Sequence, residues 1–327
     1  MNNGKETALV IGMNGGFGGA TARALAARGF SIRALARRPP KSAAGNTEWI
    51  SGDAMNVADV LAASRGAQVI VHAANPAGYR NWRGLALPML ANTIAAAKHS
   101  GATIVFPGNV YNYSPDDGPL FSEDSPQNPR TRKGAIRVEM EGMLSTTRRD
   151  GVRVIIVRAG DFFGPGAHSS WFEQGMVKPG KPITKVVYPG AFAVGHAWAY
   201  LPDLAETVAR LVMRRAEFAA FETFHFAGHS LPRGGEMAET ICDVAGIPHT
   251  RVGSFPWWAI GALSPFVEMF REMREMRYLW QRDVRLDNRK LIEVLGVEPH
   301  TALADAVRES LHVLGIVTAD GELGQAA

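Results

Sequence analysis

Three groups of residues have the types and spacing to do chemistry. The first is Gly12-x-x-Gly15-x-x-Gly18, set directly behind the apolar run Ala8–Ile11. Glycine alone permits a tight turn, a backbone close enough to touch a pyrophosphate, and helix N–H groups aimed at its charge. Gly12, Asn14, Gly15, Gly16, Phe17 and Gly18 are therefore candidate dinucleotide contacts. The second group is Arg37-Arg38, followed by Pro39, Pro40 and Lys41. An NAD site usually carries an acidic residue about 20 residues beyond the glycines, where it accepts hydrogen bonds from the ribose hydroxyls. Cations stand there instead, and a guanidinium grips a phosphate through two parallel hydrogen bonds. NADP(H) is the expected cofactor, with Arg37 the first choice for its 2′-phosphate and Arg38 the second. The third group is Lys133 and Arg137, four apart and so on one helix face. A neighbouring permanent cation and burial both disfavour a charged ammonium, which makes Lys133 a candidate for proton exchange.

These groups need elements to hold them. Thr21–Phe30 continues the glycine loop as an amphipathic helix ending at Gly29, and Ser31–Ala36 reads as a second strand. Further strands are predicted over Thr47–Asp53, Gln68–Ala74, Thr103–Pro107 and Arg153–Arg158, with helices over Val57–Ser64, Leu85–His99 and Gly134–Arg149. Alternation of this kind is the signature of a parallel sheet wrapped by helices, whose ligands collect at the carboxyl ends of the strands. From about Gly164 the pattern loosens, with helices predicted at Leu204–Arg215, Gly235–Ala245 and Ala302–Leu314. Residues 1–165, with return elements near 190–215, are expected to form a dinucleotide-binding domain. Residues 166–317 supply a substrate lobe, and 318–327 a frayed tail.

Composition narrows the field. A hydrophobic content of 46% is ample for a core, and a net charge of +4 without a long basic run argues against a nucleic-acid partner. The single cysteine excludes an internal disulfide framework, and no His or carboxylate cluster has metal-ligand spacing. The polar N-terminus leaves no room for a signal peptide, and Phe255–Phe270 is too short and interrupted to span a bilayer. A cytoplasmic protein without a membrane partner is expected.

Together these features resemble the extended branch of the short-chain dehydrogenase/reductase superfamily, the sugar-nucleotide epimerases and dehydratases. The marks are the glycine loop, Gly52-Asp53, Val71-His72-Ala73-Ala74, Val110-Tyr111, Arg158 with Gly164-Pro165-Gly166, and Tyr200-Leu201-Pro202-Asp203-Leu204-Ala205. The resemblance covers nearly the whole chain. It implies an α/β fold, a Rossmann-type doubly wound parallel sheet with a smaller mixed C-terminal substrate lobe. It also implies that Asp53, with Ala54, meets the adenine, and that Ala73, Ala74 and Asn75 line the cofactor groove. A homodimer would be ordinary for such a protein.

The chemistry departs from the pattern. Family members carry a Ser or Thr before the Val-Tyr motif and Tyr-x-x-x-Lys on the next helix. This chain has Phe106-Pro107-Gly108-Asn109 at the first place, and Lys133 and Arg137 at the spacing of the second. Lys-x-x-x-Arg on this helix is similar to the isoflavone and pinoresinol reductase branch, whose lysine is the proposed acid/base; Arg137 would then hold the ribose, and Lys133 would face the cofactor. Asn109 could stand in for the missing hydroxyl, and Tyr111 or Tyr113 could supply an acid. In the loop after the sixth strand, Asp161, Phe162, Phe163, His168 and Trp171 are candidate contacts to a small-molecule substrate, the aromatics favouring an apolar or ring-bearing ligand; Phe162 and Phe163 could equally be core. Three functions follow: an NADP(H)-dependent oxidoreductase acting on a carbonyl or conjugated double bond, a non-catalytic redox sensor like the NmrA-type regulators, or an epimerase or dehydratase.

Overall fold

The computed structural model describes residues 5–40, 47–76 and 81–317. Its first half alternates as the sequence pattern requires: β1 (Thr7–Ile11), α1 (Gly16–Ala27), β2 (Ser31–Ala36), β3 (Thr47–Ser51), α2 (Val57–Ser64), β4 (Val69–His72), α3 (Trp82–Ser100) and β5 (Thr103–Asn109). After the short β6 (Leu120–Phe121) come α4 (Arg132–Thr146) and β7 (Val154–Ala159). The second half holds β8 (Asp161–Phe163), β9 (Val186–Tyr188), β10 (His196–Tyr200), α5 (Leu201–Met213), β11 (Phe221–His225) and β12 (His229–Leu231). It closes with α6 (Gly235–Val244), β13 (Val252–Ser254), α7 (Trp257–Leu263), α8 (Glu268–Glu275), β14 (Arg285–Leu286), α9 (Arg289–Leu295) and α10 (Leu303–Val313). Lys41 and the tail expected over 318–327 lie outside the described residues.

Seven strands form one parallel sheet in the order β11-β7-β5-β4-β1-β2-β3. Strand order reverses between β1 and β4, which opens the crevice where such sheets bind ligands. Period-2 alternation assigns the faces. Ala8 and Val10 bury against Phe17, Leu25, Leu204 and Val208 of α1 and α5, whereas Leu9 and Ile11 share a core with Val60, Leu90, Ile136 and Met140 of α2, α3 and α4. Both faces are thus covered, as a parallel sheet demands.

The helix ends follow local chemistry. Gly101 at φ 72° stops α3, and the Thr131 side chain accepts the Gly134 N–H at 3.0 Å to start α4. Helix α5 starts at Leu201, three residues before the expected start, because Pro202 has no N–H for the first turn to leave unpaired. The seventh strand, β11, falls beyond the return elements expected near 190–215. Strand β10 pairs instead with β8 and β12 in a separate three-stranded sheet. A further core of Phe163, Phe172, Trp198, Tyr200, Ile241 and Leu311 lies beneath that sheet.

Candidate functional site

The backbone builds the first part of the site. Gly12 leaves β1 at φ +98°, and a Cβ there would lie 2.6 Å from the Ala73 carbonyl carbon at the end of β4. A Cβ on Gly18 would lie 2.3 Å from the Gly12 carbonyl oxygen, so the third glycine of the motif lets α1 pack against its own turn. The Gly15 N–H closes that turn on Gly12 at 3.0 Å. Helix α1 then starts without a side-chain cap and without an acidic residue in its first turn, and Asn14 and Gly15 are exposed. Its first N–H groups are therefore available to an anion.

The flanking residues gather around this turn. Asp53, half-buried after β3, accepts the Met55 N–H at 3.0 Å, and its own N–H donates to Asp59 at 2.8 Å. Ala54, Ala73 and Ala74 are half-buried and Asn75 is exposed. Arg37 and Arg38 follow β2, both exposed and without an ion pair among the described residues. Phe162 stacks on Phe17 at 6.3 Å, which brings a residue expected at the substrate to the glycine loop. The donor set suits a pyrophosphate: a glycine turn of exposed backbone leads into helix N–H groups that no side chain caps.

The second part lies on α4. Lys133 and Arg137 are not on a solvated face: both are buried. Gly134 allows this, because a Cβ there would meet the Tyr111 carbonyl oxygen at 2.3 Å. Arg137 donates to the Pro107 carbonyl at 3.2 Å, and its guanidinium sits 5.4 Å from the Trp82 and Phe106 rings. Beside it, burial and then the Arg137 charge push His72 down to about 3, so this histidine stays neutral against Thr93.

Lys133 meets carboxylates the sequence pattern did not reveal. Its Nζ pairs with a Glu272 carboxylate oxygen, reaches Glu275 at 3.5 Å and donates to the Glu272 carbonyl at 3.2 Å, all from α8. Glu275 also accepts the Arg132 N–H, and Glu272 pairs with Arg132 at 2.9 Å. Negative charge at the N-terminus of α4 suits the helix dipole. The neighbours expected for Lys133, the Arg137 charge and a buried setting, are thus joined by two carboxylates. The carboxylates lie about 140 residues away in sequence, where no helix-face argument reaches.

Behind α4 runs a buried polar network. Arg158, fully buried, donates to Glu141 at 2.7 Å and to the Asn109 carbonyl at 2.6 Å. Gln127 donates to Glu141 at 3.0 Å and accepts from Asn112 at 3.0 Å. Asn109 uses its side-chain oxygen to cap the turn over Val110–Asn112, accepting the Tyr111 N–H at 3.0 Å. Tyr111 is half-buried. Tyr113, expected as a substrate contact, is fully buried, stacked on Phe121 at 4.6 Å and 3.0 Å from His225. The His225 Nδ1–H faces the Phe121 carbonyl at 3.0 Å, leaving Nε2 to accept from the tyrosine. Burial drives the Tyr113 hydroxyl above its ordinary range and His225 down to about 3.

The remaining substrate candidates scatter. Phe163 is fully buried among Phe172, Trp198 and Tyr200, so it is core. Trp171 packs against Phe255, Trp257 and Trp280. His168 is exposed, 3.3 Å from Glu173. Asp161 holds His196 at 2.8 Å, and the imidazole stacks on Trp280 at 3.9 Å with its other nitrogen near the Leu279 carbonyl. Sequence reading did not find Glu141, Gln127, His225, Glu272 or Glu275 as parts of these networks. Nothing in their local sequence marked them, because their partners lie far away in the chain.

A parallel sheet with a glycine turn at its switch point, opening onto uncapped helix N–H groups, defines a Rossmann-type dinucleotide-binding protein. The profile of the NAD dependent epimerase/dehydratase family matches residues 8–224, and the chain belongs to that family. Solved structures share the fold along its length. MoeE5, in complex with UDP-glucose and NAD, aligns at TM-score 0.72 and 17% identity over 94% of this chain and 98% of its own. The UDP-N-acetylglucosamine 4-epimerase from Bacillus cereus aligns at 0.70 and 15% identity over 95% and 99%. DesIV, a dTDP-glucose 4,6-dehydratase from Streptomyces venezuelae with NAD bound, aligns at 0.73 and 18% identity over 94% and 96%. No curated protein sequence matches the chain.

Proposed function

We propose that this chain is an NADP(H)-dependent oxidoreductase that reduces a carbonyl or a conjugated double bond of a small organic substrate. The observation that carries the reading is the buried Lys133–Arg137 pair on α4, with Arg137 reaching the end of β5 and its charge acting on His72, the residue before Ala73. Gly12, Asn14, Gly15, Gly16, Phe17 and Gly18 would hold the pyrophosphate, Asp53 and Ala54 the adenine side, and Ala73, Ala74 and Asn75 the groove. Arg37 and Arg38 favour a 2′-phosphorylated ribose. When bound, the nicotinamide supplies hydride. Arg137 orients the ribose, Asn109 and Tyr111 border the same edge of the sheet, and Lys133 Nζ holds the proton delivered to substrate oxygen or carbon once α8 releases it. Asp161, Phe162, His168 and Trp171 lie on the segment that would meet the substrate.

A second reading, a non-catalytic redox regulator, draws on the Lys133 clasp itself: with Glu272 and Glu275 in place the amine is engaged inside the protein. Sugar-nucleotide epimerisation ranks below both, because α4 lacks the tyrosine and Asn109 stands where the hydroxyl belongs.

Calorimetric titration with NADPH, NADP⁺ and NADH tests the cofactor, with NADPH expected to bind tightly and Arg37→Ala to cost about tenfold in NADPH affinity while sparing NADH. A panel of carbonyl and enone substrates then tests the chemistry. Lys133→Met is expected to abolish turnover with NADPH affinity kept. Unchanged turnover removes Lys133 from the mechanism, and a nucleotide-dependent protein partner with no turnover on the panel favours the regulator.

A further inference from the structure

No helix among the described residues is long and apolar enough to cross a membrane. The expectation of no membrane partner rested on that kind of span, and α7 and α8 raise a different case. Trp258 is 80% exposed and Phe266 86%, and Leu263, Val267 and Met269 are exposed beside them. Between Pro256 and Phe270 the only charged residue is Glu268. Scattered surface hydrophobics need no explanation, but a run this dense in one short hairpin does.

The border of the patch is basic. Arg271 and Arg274 are exposed on the next turn and, with Arg132, Ser264, Pro265 and Glu275, line a surface hollow. Arg274 donates to the Ser264 hydroxyl at 3.1 Å, tying α8 to the end of α7. Of the acidic residues of the same helix, Glu272 and Glu275 are engaged with Lys133 and the start of α4, and Glu268 is exposed within the patch. A hydrophobic tip with an amphipathic Trp, edged by guanidiniums, matches the interface of an anionic bilayer, where rings enter the headgroup boundary and cations meet phosphates.

We propose that the α7–α8 hairpin docks this protein onto an anionic lipid surface, with Trp258, Leu263 and Phe266 entering it and Arg271 and Arg274 pairing with lipid phosphates. The docking face and the Lys133 clasp are then neighbours on α8, since Glu275 of the clasp lines the hollow that holds Arg271 and Arg274. The inference stands apart from the oxidoreductase reading, since it uses none of the residues that would hold cofactor or substrate.

Co-sedimentation of the full chain with vesicles of phosphatidylcholine alone, or mixed with phosphatidylglycerol, tests it. Binding to the anionic vesicles is expected, with a blue shift of tryptophan emission. Trp258→Ser combined with Phe266→Ser should weaken it by about tenfold or more, and Arg271→Gln with Arg274→Gln should remove its salt dependence. Retained nucleotide affinity and melting temperature show that the variants are folded. No binding to either vesicle, or equal binding by the Trp258/Phe266 variant, overturns the proposal. So does a dimer in sedimentation velocity that the same variant dissolves while vesicles bind neither form, which assigns the patch to a second copy of the chain.

Discussion

The glycine turn and the N-terminal half of α4 lie at the carboxyl ends of β1 and β5 and are built on opposite principles. At the turn, the backbone does the work: Gly12 and Gly18 leave out side chains so that β1, β4 and α1 approach closely and their N–H groups stay open. At α4, side chains fill the space, and charge is matched by charge in Lys133–Glu272 and Arg158–Glu141. The first arrangement leaves room for a ligand already shaped for it. The second is closed, and any substrate there must displace a protein group from a protein group.

This contrast predicts where the protein is fragile. Glu141→Ala leaves the Arg158 guanidinium buried without its carboxylate, and a loss of about 3–5 kcal/mol in denaturant unfolding is expected, with nucleotide affinity unchanged in the molecules that remain folded. A loss below about 1 kcal/mol would mean that the charged end is not the structural keystone of the pair.

Gly12→Ala attacks the other end. Strain at positive φ and the clash with Ala73 should cost about 1–3 kcal/mol, and the cradle should lose most of its affinity for NADPH. Stability and affinity should fall together here and separately in Glu141→Ala. If both variants lose stability and affinity alike, the two ends are one cooperative unit.

A third expectation is a slope in pH, spread over several units. His72 and His225 have folded values of about 3 against an ordinary 6.5, so the unfolded chain binds their protons first. Their contribution to stability is complete above 6.5 and is lost as pH falls toward 3, at up to about 1.4 kcal/mol per pH unit for each. Denaturant unfolding across that window should show the loss, and His72→Gln should flatten it. An unchanged slope would put the acid sensitivity in the carboxylates.

By itself the sequence determined what is local. The alternation of strand and helix through β7, the glycine turn and the basic end of β2 all depend on residues close together in the chain, and turn geometry and side-chain period are properties of short segments. It also placed Lys133 and Arg137 on one face of α4. Only the tertiary structure decided what that face meets: Glu272 and Glu275 close on Lys133 from α8, while Arg137 turns inward to Pro107. It likewise sent Tyr113 and Phe163 into the core and drew β11 into the main sheet. A buried charge or ring is satisfied by whichever partner packing brings within reach, and nothing in the residues beside it in sequence records which partner that is.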